Sequence, residues 1–276
     1  MLEPIKETDE EKRISLFEEK DYSAGEEKKS PGLSCLNIFK ALKNPVFIFS
    51  SLIRVTLMGV NTAFQYWIND YIRNGLGEKD TNIVFMFYTF INIVGPIGGI
   101  FANALMMKLF GSYENKNSSY GVLVFHMITC AFGMMIPFAW NLITFGGATI
   151  MYLFFNSAVL PMVQGIIINS VSNEIRGNAF AFVNLFTMIV TSGPLPLIYG
   201  VVNDAYQDTA KNMGMIVIMS LENIAIIFIC FMIYFRKKSK EGPFIKENIS
   251  EGVELRSQDD ESNKSSKSSK SSKSSN

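Results

Sequence analysis

The sequence predicts an all-α membrane protein with six transmembrane helices. Three observations carry that reading: six long apolar runs, charge gathered in the first 43 and last 40 residues, and a basic bias on alternate loops. A helix needs about 20 apolar residues to cross roughly 30 Å of hydrocarbon. The runs occupy 45–71, 82–107, 119–140, 143–169, 178–201 and 213–235. In lipid each backbone polar group must be paired within its own segment, so every run is read as a helix. The overall apolar content of 48% decides nothing, because soluble domains also reach it.

The chain divides into three parts. Residues 1–43 are mixed in charge and too poor in apolar side chains to fold alone, which predicts a largely disordered cytosolic segment. Within it, Ile38 to Lys43 has the pattern of a short amphipathic turn at the membrane surface. Residues 44–237 form the six-span bundle, and 238–276 a disordered tail ending in Ser-Ser-Lys repeats. That tail reads as a solvated segment or as a polybasic patch that leaves anionic lipid when phosphorylated. No apolar stretch precedes Val46, so the first span is expected to act as an internal signal anchor.

Basic flanks set the orientation. Lys40, Lys43, Lys108, Lys116, Arg176 and Arg236 to Lys240 fall on one side, which places both termini in the cytosol. The choice between plasma and endolysosomal membrane stays open. The formal net charge of zero gives no sign of nucleic-acid binding. Cys35, Cys130 and Cys230 suit neither a disulfide nor a metal, and the single histidine, His126, leaves no iron cluster and no serine–histidine pair. Neither an enzyme nor a cofactor is expected.

Polar residues within spans are costly unless they face protein or water. In the first span Arg54, Asn61 and Gln65 fall within about 40° of one another on a helical wheel. The second aligns Thr89, Asn92, Pro96 and Asn103 on one side. The fourth carries Thr149, Tyr152, Asn156 and Gln164 in an arc of about 120°, and the fifth carries Asn184, Thr187 and Thr191 within about 60°. Four polar faces suit helices that line a hydrated path, although single amides also bond neighbouring helices. Asn61, Gln65, Asn156 and Gln164 are the candidate substrate-binding residues. Arg54 and Glu222 are candidate coupling groups or an ion pair, and each also has a structural reading. Arg54 suits a snorkelling side chain, and Glu222 suits a group held by neighbouring helices. Gly95-Pro96-Ile97-Gly98-Gly99 and Ser192-Gly193-Pro194-Leu195-Pro196 mark close packing, kinks or hinges, and the second of these breaks the fifth span.

Several short motifs carry a family resemblance. Gly99-Ile-Phe-Ala-Asn103 precedes a short basic loop, and Glu174-Ile-Arg176-Gly177 follows the fourth span. The fifth ends Pro196-x3-Gly200-x3-Asp204, and the first opens Asn44-Pro45-x-Phe47. Over about residues 38–237 the chain resembles the carboxy-terminal half of the major facilitator superfamily, nearest its spinster-like branch. Asn103 stands where the family has an acid, and Ala104 where it has a base.

The resemblance implies a half-bundle equivalent to spans seven to twelve of a secondary transporter. It implies a small-molecule substrate, with lysolipids and sphingoid lipids as the class associated with the branch. The expected partners are the bilayer and either an amino-terminal half or a second copy of the chain, which together give alternating access. Gly99, Asn103, Glu174, Arg176 and Gly177 are then gating or structural loop residues. A non-transporting six-span scaffold, or a degenerate transporter fragment, is the opposing expectation.

Overall fold

A computed structural model describes residues 35–206 and 212–238. The stretches expected to be disordered before Cys35 and after Lys238 lie outside the described residues. The chain is an all-α, multi-pass membrane protein, with six helical segments long and apolar enough to cross a bilayer. A short helix α1 (Cys35–Leu42) lies inside the stretch expected to be mostly disordered. It packs on the fifth span and buries Ala41.

The first span is α2 (Pro45–Asp70), extended by a π-helical turn to Gly75. The Asn44 side chain caps it by accepting from the Val46 amide, and Pro45 takes the first-turn position where its missing N–H costs nothing. The second span is α3 (Thr81–Phe110), started by the Asp80 cap. The third is α4 (Asn117–Met135) with a final 3₁₀ turn to Phe138, and the fourth is α5 (Leu142–Asn169), capped by Asn141. The fifth is broken at Gly193 into α6 (Arg176–Ser192) and α7 (Pro194–Tyr206), as the Gly-Pro sequence predicts. The sixth is also broken, between α8 (Met213–Leu221) and α9 (Ile224–Lys238), and Glu222 and Asn223 occupy the break.

The packing repeats itself. The first span packs on the fifth as the fourth packs on the second. The first packs on the sixth as the fourth packs on the third, and the second adjoins the third as the fifth adjoins the sixth. Spans one and four meet each other, as do three and six. Exchanging spans one to three for four to six therefore leaves the pattern unchanged. Because three is odd, the second triplet enters from the opposite face, which makes this an inverted three-plus-three repeat.

Two apolar cores are stacked along the bundle. One gathers Phe47, Ile53, Leu57, Met162, Ile166 and Ile229 near the face that carries Asn44 and Ser170. The other gathers Phe64, Ile68, Ile91, Phe145, Leu153 and Met219 near the face of Tyr71. Buried His126, Asn156 and Glu222 lie between the two in sequence along their spans.

Each end of the bundle is fastened by polar bonds. At the Asn44 face, the Asn44 amide donates to the Ser170 carbonyl, and Arg236 donates to Ser118, Ser119 and the Tyr113 carbonyl. At the other face the Pro137 carbonyl accepts from the Tyr71 hydroxyl at 3.1 Å and from Asn212 at 2.9 Å.

The spans are covered unevenly. The first has 56% of its apolar window buried, against 22% for the second and 17% for the fifth. The second presses on the fourth through glycines. A Cβ on Gly95 would sit 2.8 Å from the Leu153 Cβ, and one on Gly99 would sit 2.3 Å from the Phe154 carbonyl oxygen. One turn further, Asn103 donates to the Ala158 carbonyl at 2.7 Å. Gly99 and Asn103 thus belong to a helix–helix seam inside α3, and not to the loop in which the resemblance places them. The helix continues to Phe110 before the chain turns.

Candidate functional site

Two polar regions emerge, and they differ in enclosure. The first is a crease along α2. Arg54, Asn61 and Gln65 are all half-buried on one face of this helix, as the wheel predicts. Arg54 donates to the Asn184 side chain of α6 at 2.7 Å, and its guanidinium lies 5.4 Å from the Phe180 ring centre. Gln65 donates to the Asn92 side chain of α3 at 3.0 Å, and Asn92 donates back to its own Tyr88 carbonyl. The crease therefore has α2 as its floor, with walls from the two least covered spans. Along it the Nη1 of Arg54 and the Oδ1 of Asn61 are enclosed by the chain and have no hydrogen-bond partner. Tyr66 stands 69% exposed at the crease's end, and Trp67 beside it stacks on Tyr199 at 4.7 Å.

The second region is a closed centre. His126, Tyr152 and Glu222 are 0% exposed and Asn156 is 1% exposed. The Tyr152 hydroxyl donates to Glu222 Oε2 at 3.4 Å and accepts from the Asn156 amide at 3.3 Å. His126 Nε2 lies 3.2 Å from the Glu222 backbone carbonyl, and its Nδ1 lies 3.8 Å from Glu222 Oε1. Cys130 Sγ is 3.4 Å from the same Nε2. Gly133 leaves room for the Tyr152 ring, which also meets Phe64 edge-on at 5.7 Å.

The four candidate substrate amides are not brought together. At 1.5 Å per residue Gln65 lies about 30 Å above Pro45, while Gln164 lies about 8 Å above Asn169 on the same face of the bundle. The wheel gives azimuth and is silent on depth, so a shared stripe does not bring residues of antiparallel helices together. Asn61 and Asn156 are at similar depth, yet Asn156 turns into the closed centre while Asn61 stays on the crease. The four polar spans likewise do not share one lumen. On the second span Asn92 faces the first span and Asn103 faces the fourth.

Arg54 and Glu222 do not form an ion pair. Among the described residues the acid–base contact of Glu222 is with His126. His126 is the functional candidate the sequence reading passed over, because 96 residues separate it from Glu222. One signal was present: each is the tenth residue of its span, counted from opposite faces.

In the turn after the fourth span, Glu174 and Gly177 are exposed, and Arg176 is half-buried as the first residue of α6. The tie across this end comes from Asn44, which bonds the Ser170 carbonyl. Among the described residues no cluster of three or more histidine, cysteine or acidic side chains is placed to hold a metal. Comparisons with protein-family models, curated proteins and solved structures return no match.

Proposed function

We propose that the chain is one six-helix half of a secondary transporter of the major facilitator type, and that the crease on its first span is half of a substrate path. The observation that carries this reading is the inverted three-plus-three packing combined with a polar crease that this chain leaves open. Transporters of this kind place the substrate near the bilayer midplane at a repeat interface, where a second bundle supplies the facing wall. The second and fifth spans, the least covered, flank the crease and offer apolar faces to that second bundle. They include Ile93 and Ile100 on one side, and Leu185, Met188 and Ile189 on the other. The facing bundle is a separate half or a second copy of this chain.

The half-buried Arg54 side chain and the aromatic groups Phe180 and Tyr66 suit an amphipathic ligand with an anionic or zwitterionic head group. Lysolipids and sphingoid lipids are of that class. No chemistry on the ligand is involved, so the function is carriage rather than catalysis. Both termini are cytosolic in this reading, which puts Lys79 outside and Asn115 inside. Cysteines at these two exposed positions distinguish the orientations by impermeant thiol labelling of intact cells.

The test is a thermal-shift series on the full chain in lipid nanodiscs with lysophosphatidylcholine, lysophosphatidic acid and sphingosine. At least one ligand is expected to raise the melting temperature, with Arg54→Leu and Asn61→Leu abolishing the rise. Equal stabilisation of wild type and both variants, or none by any ligand, would favour a six-span scaffold.

A further inference from the structure

The centre where His126 meets Glu222 has a geometry that the crease lacks. Spans three and six are counterparts in the repeat, and the two residues occupy corresponding positions, so they face each other across the pseudo-twofold axis. The facing residue, Glu222, sits at a break in its own helix. There the Asn223, Ala225 and Ile226 amides make three-residue bonds in place of the usual four-residue ones. Broken helices with buried polar groups recur where membrane proteins bind ions, because irregular backbone is tolerated only inside protein or against a cavity.

The tautomer follows from the neighbours. The Glu222 carbonyl accepts but does not donate, so imidazole Nε2 carries a hydrogen and donates to it. Nδ1 then directs its lone pair at Glu222 Oε1, and neither atom has a hydrogen-bond partner at 3.8 Å. With no proton between them, two acceptors would face each other and a bare carboxylate would be sealed from water. With two protons, a lone imidazolium would be sealed instead. Either isolated charge costs several kcal/mol in such a place. One proton leaves the pair neutral, either as carboxyl O–H toward Nδ1 or as Nδ1–H toward carboxylate.

The surroundings contribute no competing charge. The third span adds Cys130 and the fourth adds Tyr152, which donates to the other carboxylate oxygen. Of the charges on α2, Arg54 is turned to Asn184, and Asp70 at the helix end bonds Asn74. On the fifth span Tyr199 lies against Gly214, two turns from Glu222.

We propose that His126 and Glu222 form a proton-binding site on the repeat axis. It holds one proton between Nδ1 and Oε1 and exchanges it with water only when the bundle opens at the break in the sixth span. The bound proton stands on this geometry alone, whereas its use to drive transport rests on the reading above. Arg236, which ties the sixth span to Ser118 and Ser119 of the third, is the clamp that opposes opening.

His126 is the protein's one histidine, so ¹⁵N-histidine labelling gives a single imidazole spectrum. The full chain in nanodiscs is expected to show Nδ1 protonated or strongly hydrogen-bonded, without titrating, from about pH 5 to about pH 9, a range where a free imidazole changes charge. Glu222→Met, which keeps length but offers no proton, should turn Nδ1 into a bare lone pair. Glu222→Asp should keep part of the bound signature, and it carries the test if the Met variant does not fold.

Transfer of wild type to D₂O should leave the Nδ1 proton in place longer than loop amides. Arg236→Gln should speed its loss severalfold without moving the ¹⁵N shift. A wild-type Nδ1 identical to that of Glu222→Met would overturn the site. Immediate exchange, or equal rates in wild type and Arg236→Gln, would overturn the gating. A transporter without this proton fails the experiment and a scaffold with it passes, so the two readings are tested separately.

Discussion

The crease and the closed centre hold the same kinds of side chain but treat them differently. In the centre, His126, Tyr152, Asn156 and Glu222 come from three spans and are wholly enclosed by this chain. In the crease, Arg54, Asn61 and Gln65 come from one span, bond outward to Asn184 and Asn92, and stay half-buried. The centre leaves His126 Nδ1, Asn156 Oδ1 and Glu222 Oε1 without hydrogen-bond partners, but encloses them wholly within this chain. The crease keeps whole side chains half-buried between the two least covered spans. Substitutions should therefore separate: in the centre they should move stability, and in the crease they should move binding.

The largest effect is expected at the seam that holds the second span in place as a wall of the crease. Gly99→Ala puts a methyl 2.3 Å from a backbone oxygen that has no room to retreat. Overpacking of this kind costs about 1–3 kcal/mol, and the rigid partner puts it at the upper end. Gly147→Ala, where a Cβ would meet nothing within 4 Å, is the control and should leave melting unchanged or slightly raised. Equal melting of the two variants would show that the seam has room for a methyl group.

Next comes the centre. Tyr152→Phe removes the hydroxyl that bonds both Glu222 and Asn156, and should lower stability by about 1–2 kcal/mol. Lipid binding at the crease should be unaffected. A loss of ligand-induced stabilisation in this variant would join the two regions into one site.

The smallest effects on stability belong to the crease. Gln65→Leu gives up one interhelical bond, worth about 0.6 kcal/mol in membrane proteins, and Asn61→Leu gives up none. Both should nonetheless reduce the thermal shift produced by a bound lysolipid. A stability loss above about 2 kcal/mol in either would recast the crease as a helix-bonding surface.

The six spans were legible in the sequence because length and hydrophobicity alone decide whether a helix crosses lipid. The break in the fifth span was legible from Gly193 and Pro194. The break at Glu222 and Asn223 was not, because no glycine or proline marks it, and it is held by contacts with His126 and Tyr152. The stripe of Arg54, Asn61 and Gln65 was legible as azimuth on one helix. Where Asn156 and Gln164 sit relative to that stripe was not legible, because it depends on depth and on the orientation of a second, antiparallel helix. Glu222 stood out as a buried acid, but its partner did not. His126 comes into view only when the two triplets are laid over each other.

Thiol accessibility tests the contrast between the two regions most directly. In a background with Cys35, Cys130 and Cys230 changed to serine, single cysteines are placed at Arg54, Asn61 and Gln65, and at Thr149 and Asn156. A small water-soluble methanethiosulfonate is applied to native membranes, since it reacts with thiolate and therefore reports water. Cysteines on the crease should react and those at Thr149 and Asn156 should not. Unreactive crease positions would mean that lipid or packed protein fills the proposed path, and reactive positions at the centre would mean that it is not sealed.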